Sequence, residues 1–321
     1  MSALGPWTGV VDDVLLRMTN ATGQIARRHA DYQRGVSAVL GRAAGLERDD
    51  ANLATEILQE SRPQPGARGV VLPSGRFPAY TPSAAEAHVA SRRLVVDHEL
   101  TNALRSGVNG TFVTRDTDGV LYIYKPFIDE NYLDFNWLPH VPGQLGIREV
   151  AGYRVFELMG SHRMPPTALV NGPYGRGAAQ LYVPMKASKD WFRYPKKQQA
   201  EAAMGHFLAS NADGHPGNYR PRYNGTTSQH PADDLIVYDL GFTFPESPDH
   251  LRGSRPADFK SDFVRNWAGQ EFPSTVLEPT QAITREQFGS ALEDLQLSDN
   301  AIDHALRRLD YVKANDTIYK A

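Results

Sequence analysis

From Val11 to Leu46, apolar and semi-apolar residues fall at Val11, Leu15, Met18, Thr22, Ile25, His29, Tyr32, Val36, Val39, Ala43 and Leu46, in alternating steps of four and three. This spacing gathers them into one stripe and predicts a heptad-like helical segment over residues 1–60. A continuous helix of this stretch would reach about 50 Å at 1.5 Å per residue, with Gly23 and Gly35 as weak points able to split it into a hairpin. Either form leaves a stripe over residues 11–46 that needs cover, from the protein's own body, from a second copy or from a partner helix. A short helix over Ala51–Glu60 follows. Residues 61–82, SRPQPGARGVVLPSGRFPAYTP, are dense in Pro and Gly and predict an extended connector, which sets the start of the next domain at residue 83.

Ser83 and Glu86 form an S-x-x-E pattern, which predicts a helix start running into AHVASRRLVVDHELTNAL. The period then shortens from that of a helix to two. GTFVTR and GVLYIYK flank DTDG and predict a hairpin with Asp118-Gly119 in its turn. Further short strands are expected near residues 178–184 and 235–239. ITREQFGSALEDLQLSDNAIDHALRRLDYVKA predicts two helices joined near Leu297–Asn300. Strands first and helices later make residues 83–321 an α+β domain.

Composition narrows the chemistry. The 321 residues hold ample apolar content for a core. A formal charge of -3 gives no basic footprint for nucleic acid. With no cysteine, disulfides, thiolate catalysis and cysteine-ligated zinc are excluded, so any metal must be held by His, Asp, Glu or Asn. The first residues carry Asp12 and Asp13 within their apolar stretch, unlike a signal peptide, and no run is long and apolar enough to span a bilayer. The expectation is a cytoplasmic protein.

Candidate chemistry sits in four places. In VLYIYKP, alternation sets Leu121, Ile123 and Lys125 on one face, so a lysine ends an apolar face. The preceding SGVNGTF puts Gly107, Asn109 and Gly110 at the hairpin's start, where backbone amides can approach phosphates. In GIREVAGYRVFELMG, Ile147, Val150, Ala151, Val155 and Leu158 share one helical face and Glu149, Tyr153 and Phe156 the other. A helix apolar on both sides is packed on both, and a buried Glu149 then needs a cation, for which Lys125 is the candidate; a solvated Glu149 would instead pair with Arg148 or Arg154. NADGHPGNYR is a loop by its two glycines and proline and carries Asp213, His215 and Asn218. DLIVYDLGFTFP reads as a buried strand ending at Asp239, with Gly241 allowing a sharp turn. A strand lysine, a helix glutamate and oxygen ligands in two loops are the parts that phosphoryl transfer needs.

On GVNGTFVTRDTDGVLYIYKP, REVAGYRVFELMG, NADGHPGN and IVYDLGFTFP, the sequence resembles the atypical kinases, meaning the phosphatidylinositol 3-/4-kinase-like group and the bacterial proteins related to it and to HipA-type toxin kinases. The resemblance covers roughly residues 100–250. It implies a two-lobed kinase-like fold with a small β-rich lobe and a helical lobe, and the use of ATP and Mg²⁺. It further implies Asp213 as the catalytic aspartate with His215 in support, Asn218 and Asp239 as metal ligands, Lys125 as the phosphate lysine and Glu149 as its partner. The adenine is expected between the lobes against QLYVPM, at Val183 and Met185. Relatives of this kind include toxins and effectors, and the acceptor hydroxyl is open between protein, lipid and small molecule. The chain departs from the family's D-R-H-x-x-N loop in carrying Gly214 where the arginine stands. Its Asp-before-His order is the reverse of ordinary protein kinases. Three other readings stay open: an inactive nucleotide-binding module, a nucleotidyltransferase on the same fold, and a phosphoesterase with His206, Asp213, His215 and Asp239 around a metal.

Overall fold

The computed structural model describes residues 75–103, 110–132, 138–186, 190–222, 234–246 and 261–318. The heptad segment, Gly107 and Asn109 lie outside the described residues. Ser83 caps the first helix, α1 (Ala84–Ala90), its hydroxyl accepting from Glu86 N at 3.1 Å. The single helix expected to run on from there is broken. After Ala90 the chain turns, and the β-branched pair Val95 and Val96 forms strand β1 (Val95–Val96). Asp97 then accepts from Leu100 N and starts a second short helix, α2 (His98–Ala103). Pairing along a sheet edge satisfies the backbone of two β-branched residues better than another helical turn would.

Strands β2 (Phe112–Arg115) and β3 (Leu121–Pro126) form the expected hairpin. Its turn is organised by Asp116, whose carboxylate accepts from Asp118 N and Val120 N, with Gly119 at φ 82°. Helix α3 (Gln144–Leu158) follows, then a second hairpin, β4 (Thr167–Gly172) and β5 (Gly175–Leu181). The sheet order is β1-β2-β3-β5-β4, antiparallel throughout. Tyr122 and Tyr124 are fully buried with Val89, Leu94, Ala168 and Val170, so the aromatic face of β3 is the packed one. The face carrying Ile123 and Lys125 lines a cleft.

The chain crosses to the second lobe through residues 182–186, where Tyr182 N donates to Leu121 O and Lys186 N donates to Pro221 O. That lobe holds helix α4 (Lys196–Ala209), the small sheet of β6 (Tyr219–Pro221) and β7 (Leu235–Val237), and four further helices: α5 (Asp262–Trp267), α6 (Ser274–Ala282), α7 (Arg285–Glu293) and α8 (Asp299–Asn315). The last two match the helix pair expected at the C-terminal end. A core cluster runs from Val150 and Phe156 of α3 through Met204 and Phe207 of α4 to Leu306 and Leu309 of α8. Helix α3 is buried on nearly every side, as its two apolar faces require. The architecture is the two-lobed α+β arrangement expected from the sequence, a five-stranded antiparallel sheet followed by a mainly helical lobe. Among the described residues, no helix is long and apolar enough to cross a membrane.

Part of the stretch read as a connector is packed. Arg76 N and Phe77 N donate to the Glu293 carboxylate, and the Arg76 guanidinium bonds Asp299 and Asp303. Tyr80 lies against the Arg154 guanidinium, 3.9 Å from ring centroid to Cζ.

Candidate active site

Strand β3 delivers Lys125 and helix α3 delivers Glu149 to one point. Lys125 Nζ donates to Glu149 Oε2 at 2.8 Å and to Oε1 at 3.1 Å. It also donates to Asp239 Oδ1 at 2.9 Å. Glu149 is 4 % exposed and Lys125 17 %, whereas Asp239 is 36 % exposed, so of the two carboxylates only that of Asp239 is open to a ligand. Burial opposes the charge on Lys125, but the Asp239 and Glu149 carboxylates outweigh it and hold its pKa above the ordinary lysine value. Burial pushes the Glu149 carboxyl up while the Lys125 ammonium pulls it back.

The two arginines beside Glu149 are engaged elsewhere. Arg148, fully buried, reaches Phe244 O with Nε and Glu246 Oε1 with Nη2 at 2.6 Å. Arg154 grips Glu86 through Nε and Nη2 and donates to Ala291 O. Helix α3 thereby meets α1, α7 and the segment after Asp239 through side chains flanking Glu149.

Strand β7 stops at Val237, short of the expected 239, and Asp239 follows two residues later at φ 59°, in the left-handed region that Asp enters more readily than most residues. The turn it makes brings Leu240 against Gly152 of α3, where a Cβ would stand 2.8 Å from Leu240 Cδ1. Beyond it, Phe244 N donates to Ala209 O, and Ala212 N donates to Phe242 O. These two bonds fasten the segment after Asp239 to the loop that carries Asp213.

Within that loop, Asn211 Oδ1 accepts from Asp213 N, and Asn218 Nδ2 donates to Asp213 O at 2.8 Å and Oδ2 at 3.2 Å. The Asn218 amide nitrogen is thus spent on Asp213, which leaves its oxygen as the atom able to meet a cation. His215 Nδ1 accepts from Gly217 N, and its Nε2 stands 3.7 Å from Asp213 Oδ1. Gly214 has no room for a side chain: a Cβ there would lie 2.8 Å from His206 Nδ1 and 2.9 Å from Ser261 Cβ. His206 is fully buried, hydrogen-bonded to Ser261 and edge-on to Phe156 and Phe263. Burial lowers its pKa to about 3, so it is a neutral prop beneath the loop. His206 is buried away from the cleft, and among the described residues no three His, Cys, Asp or Glu side chains gather as a metal cluster. The structure does not assemble the alternative phosphoesterase centre.

The cleft is a cavity of about 360 Å³ whose wall includes Ile123, Lys125, Glu149, Val183, Met185, Gly217, Arg220, Ile236, Tyr238 and Asp239. Val183 and Met185 stand at the crossing between lobes, where Met185 bridges to Arg222. Gly110 closes a smaller recess with Lys125, Glu130, Glu149 and Asp239, its N–H directed at Asp129 O. Glu130 accepts from Gly143 N and Gly146 N and so satisfies the N-terminal turn of α3. A larger hollow of about 560 Å³ lies along the β1–β2 edge, but its Asp97 is taken by Arg115 and its Asp116 by Tyr122 and backbone amides. The convergent polar groups are in the cleft. Arg220, Tyr238 and Glu130 were not singled out by the sequence reading. Tyr238 directly precedes Asp239 and was open to notice, whereas Arg220 enters the cleft through the β6–β7 pairing, which has no local signature.

No family model matches the chain, and no curated protein matches it. Among solved structures, it is similar to the Golgi casein kinase, at 12% identity over 74% of this chain and 75% of that one, with a TM-score of 0.49. It is also similar to that kinase with Mn/ADP bound, at 12% identity, 71% and 72% coverage and a TM-score of 0.46. The proinflammatory kinase CtkA of Helicobacter pylori matches at 11% identity over 71% of this chain and 94% of that one, with a TM-score of 0.45.

Proposed function

We propose that the chain is an ATP- and magnesium-dependent phosphotransferase of the atypical kinase type, passing a phosphoryl group to a hydroxyl of a protein, a lipid or a small molecule. The observation that carries this reading is the Lys125 ammonium held between Glu149 of a packed helix and the more open Asp239 just past a strand end. A phosphate entering beside Asp239 would find Lys125 already charged and aimed, so no free energy is spent on orienting it. The oxygen donors of Asp239 and Asn218 suit a hard divalent cation such as Mg²⁺, which when bound would neutralise phosphate charge. Asp213, fixed by Asn211 and Asn218, is the group to orient or deprotonate the acceptor hydroxyl, with His215 beside it.

The order of these parts along the chain, a D-x-H-x-x-N loop followed by D-L-G after a strand, favours the phosphatidylinositol 3-/4-kinase-like and HipA-like kinases over ordinary protein kinases. A toxin or effector role rests on that resemblance alone.

Incubation with γ-labelled and, separately, α-labelled ATP in Mg²⁺, with and without host lysate, tests the reading. Label passing to an acceptor from the γ position only is expected. Transfer from the α position would identify a nucleotidyltransferase, ATP binding with no transfer an inactive module, and phosphate release that needs no ATP a phosphoesterase.

A further inference from the structure

The charged groups of the cleft do not pair off. Lys125 is shared by Glu149 and Asp239, so these three side chains carry a net negative charge. The remaining charged side chain on the wall, Arg220, has no carboxylate partner among the described residues. It projects from β6 between Tyr219 and Pro221, which are both buried while it is exposed. Across the strand pair it stands opposite Ile236, and it shares the cleft wall with Tyr238. The Tyr238 hydroxyl donates to Gly217 O at 2.5 Å, which ties this wall to the Asp213 loop.

We propose that Arg220 binds the phosphate chain of the nucleotide, supplying from β6 a second cation on the cleft wall that Lys125 also lines. The assignment rests on the nucleotide reading above. Beside a net negative lysine–carboxylate cluster, a guanidinium adds positive charge to that of the metal accompanying the nucleotide, and it offers paired donors that match phosphate oxygens.

Calorimetric titration of the full chain with ATP, ADP and adenosine, in Mg²⁺, tests the assignment on the unaltered protein, Arg220→Gln and Arg220→Lys. Arg220→Gln should weaken ATP and ADP by about 10-fold or more, the worth of a charge-assisted hydrogen bond, and adenosine by less than about 2-fold. Arg220→Lys should recover part of the loss, and ATP binding in Arg220→Gln should depend less on salt. Equal losses for all three ligands would overturn the assignment by placing the guanidinium on the base or sugar, and so would unchanged ATP affinity in both variants. If the unaltered protein binds ADP and ATP while the variants match it, only the Arg220 assignment fails. If it binds none of the three ligands, the nucleotide reading itself fails.

Discussion

Lys125 Nζ lies 2.9 Å from Asp239 Oδ1, so the carboxylate best placed to hold a cation already holds one. A metal ion arriving alone must compete with that ammonium. Arriving with a phosphate, it meets less resistance, because the phosphate gives Lys125 another acceptor. Lys125→Met should therefore tighten the binding of Mn²⁺ alone while it lowers phosphoryl transfer, measured by calorimetry and by label transfer. Adding Glu149→Gln should cost transfer little beyond the worse single variant, since the interaction is already broken. Additive losses would separate the two residues.

Asp239→Ala and Asp213→Asn should fail at different steps. The first removes the accessible carboxylate, so Mg²⁺-ATP binding and transfer should fall together. The second keeps the shape of the loop and removes the proposed base, so ATP binding should survive while the rate drops by about 100-fold or more. Equal losses of nucleotide affinity would contradict this division of labour.

Gly214→Ala should destabilise the protein through a single methyl group. His206 and Ser261 are buried and cannot give way, so the cost should be about 1–3 kcal/mol, as for other overpacked sites. Thermal melting measures it. Gly214→Arg, with a far larger side chain in the same space, should do worse than Ala.

The pH profile should carry the mark of His206. Its folded pKa of about 3 lies below the ordinary histidine value of 6.5, so between those limits the unfolded chain binds the extra proton. Stability should then be fully present above pH 6.5 and lost as the pH falls from 6.5 toward 3. His206→Gln should flatten that part of the profile in denaturant titrations run at several pH values. An unchanged slope would mean that the imidazole does not stay neutral on folding.

Glu86 and Arg154 form a buried ion pair at 2.6 Å, with Tyr80 over the guanidinium. Arg154→Met leaves the Glu86 carboxylate buried without its partner and should cost about 3–5 kcal/mol, whereas replacing both residues by apolar ones should cost much less. Because Arg154 shares helix α3 with Glu149, the single variant should also lose transfer activity at temperatures where it is still folded.

The parts legible in the sequence were those with local cause. The β2–β3 hairpin was written in its alternation and turn residues, and the need of Glu149 for a cation in the two apolar faces of its helix. Which cation answered was not local: Arg148 and Arg154 looked as eligible as Lys125 until Glu246 and Glu86, 98 and 68 residues away, claimed them. The break at Val95 was signalled by two β-branched residues followed by a capping aspartate, but helical periodicity on both sides hid it. Strand β4 went unread because its hairpin turns at Pro173-Tyr174, between the paired Gly172 and Gly175, and not at the Asn171-Gly172 dipeptide just before. The packing of Gly214 over His206 depends on helix α4, the loop and Ser261 meeting, and no window of sequence contains all three.

Helix α3 has a bearing on how the molecule comes apart. Its N-terminal turn is held by Glu130, its middle by Lys125 of the sheet and by Phe244 of the other lobe, and its far end by Glu86 and Ala291. Neither lobe can shed its ordered structure while the other keeps this helix in place. Heating should therefore give one calorimetric transition for the described fold, with its van't Hoff enthalpy matching the measured heat, and native-state hydrogen exchange should find the amides of α3 opening only by the global route.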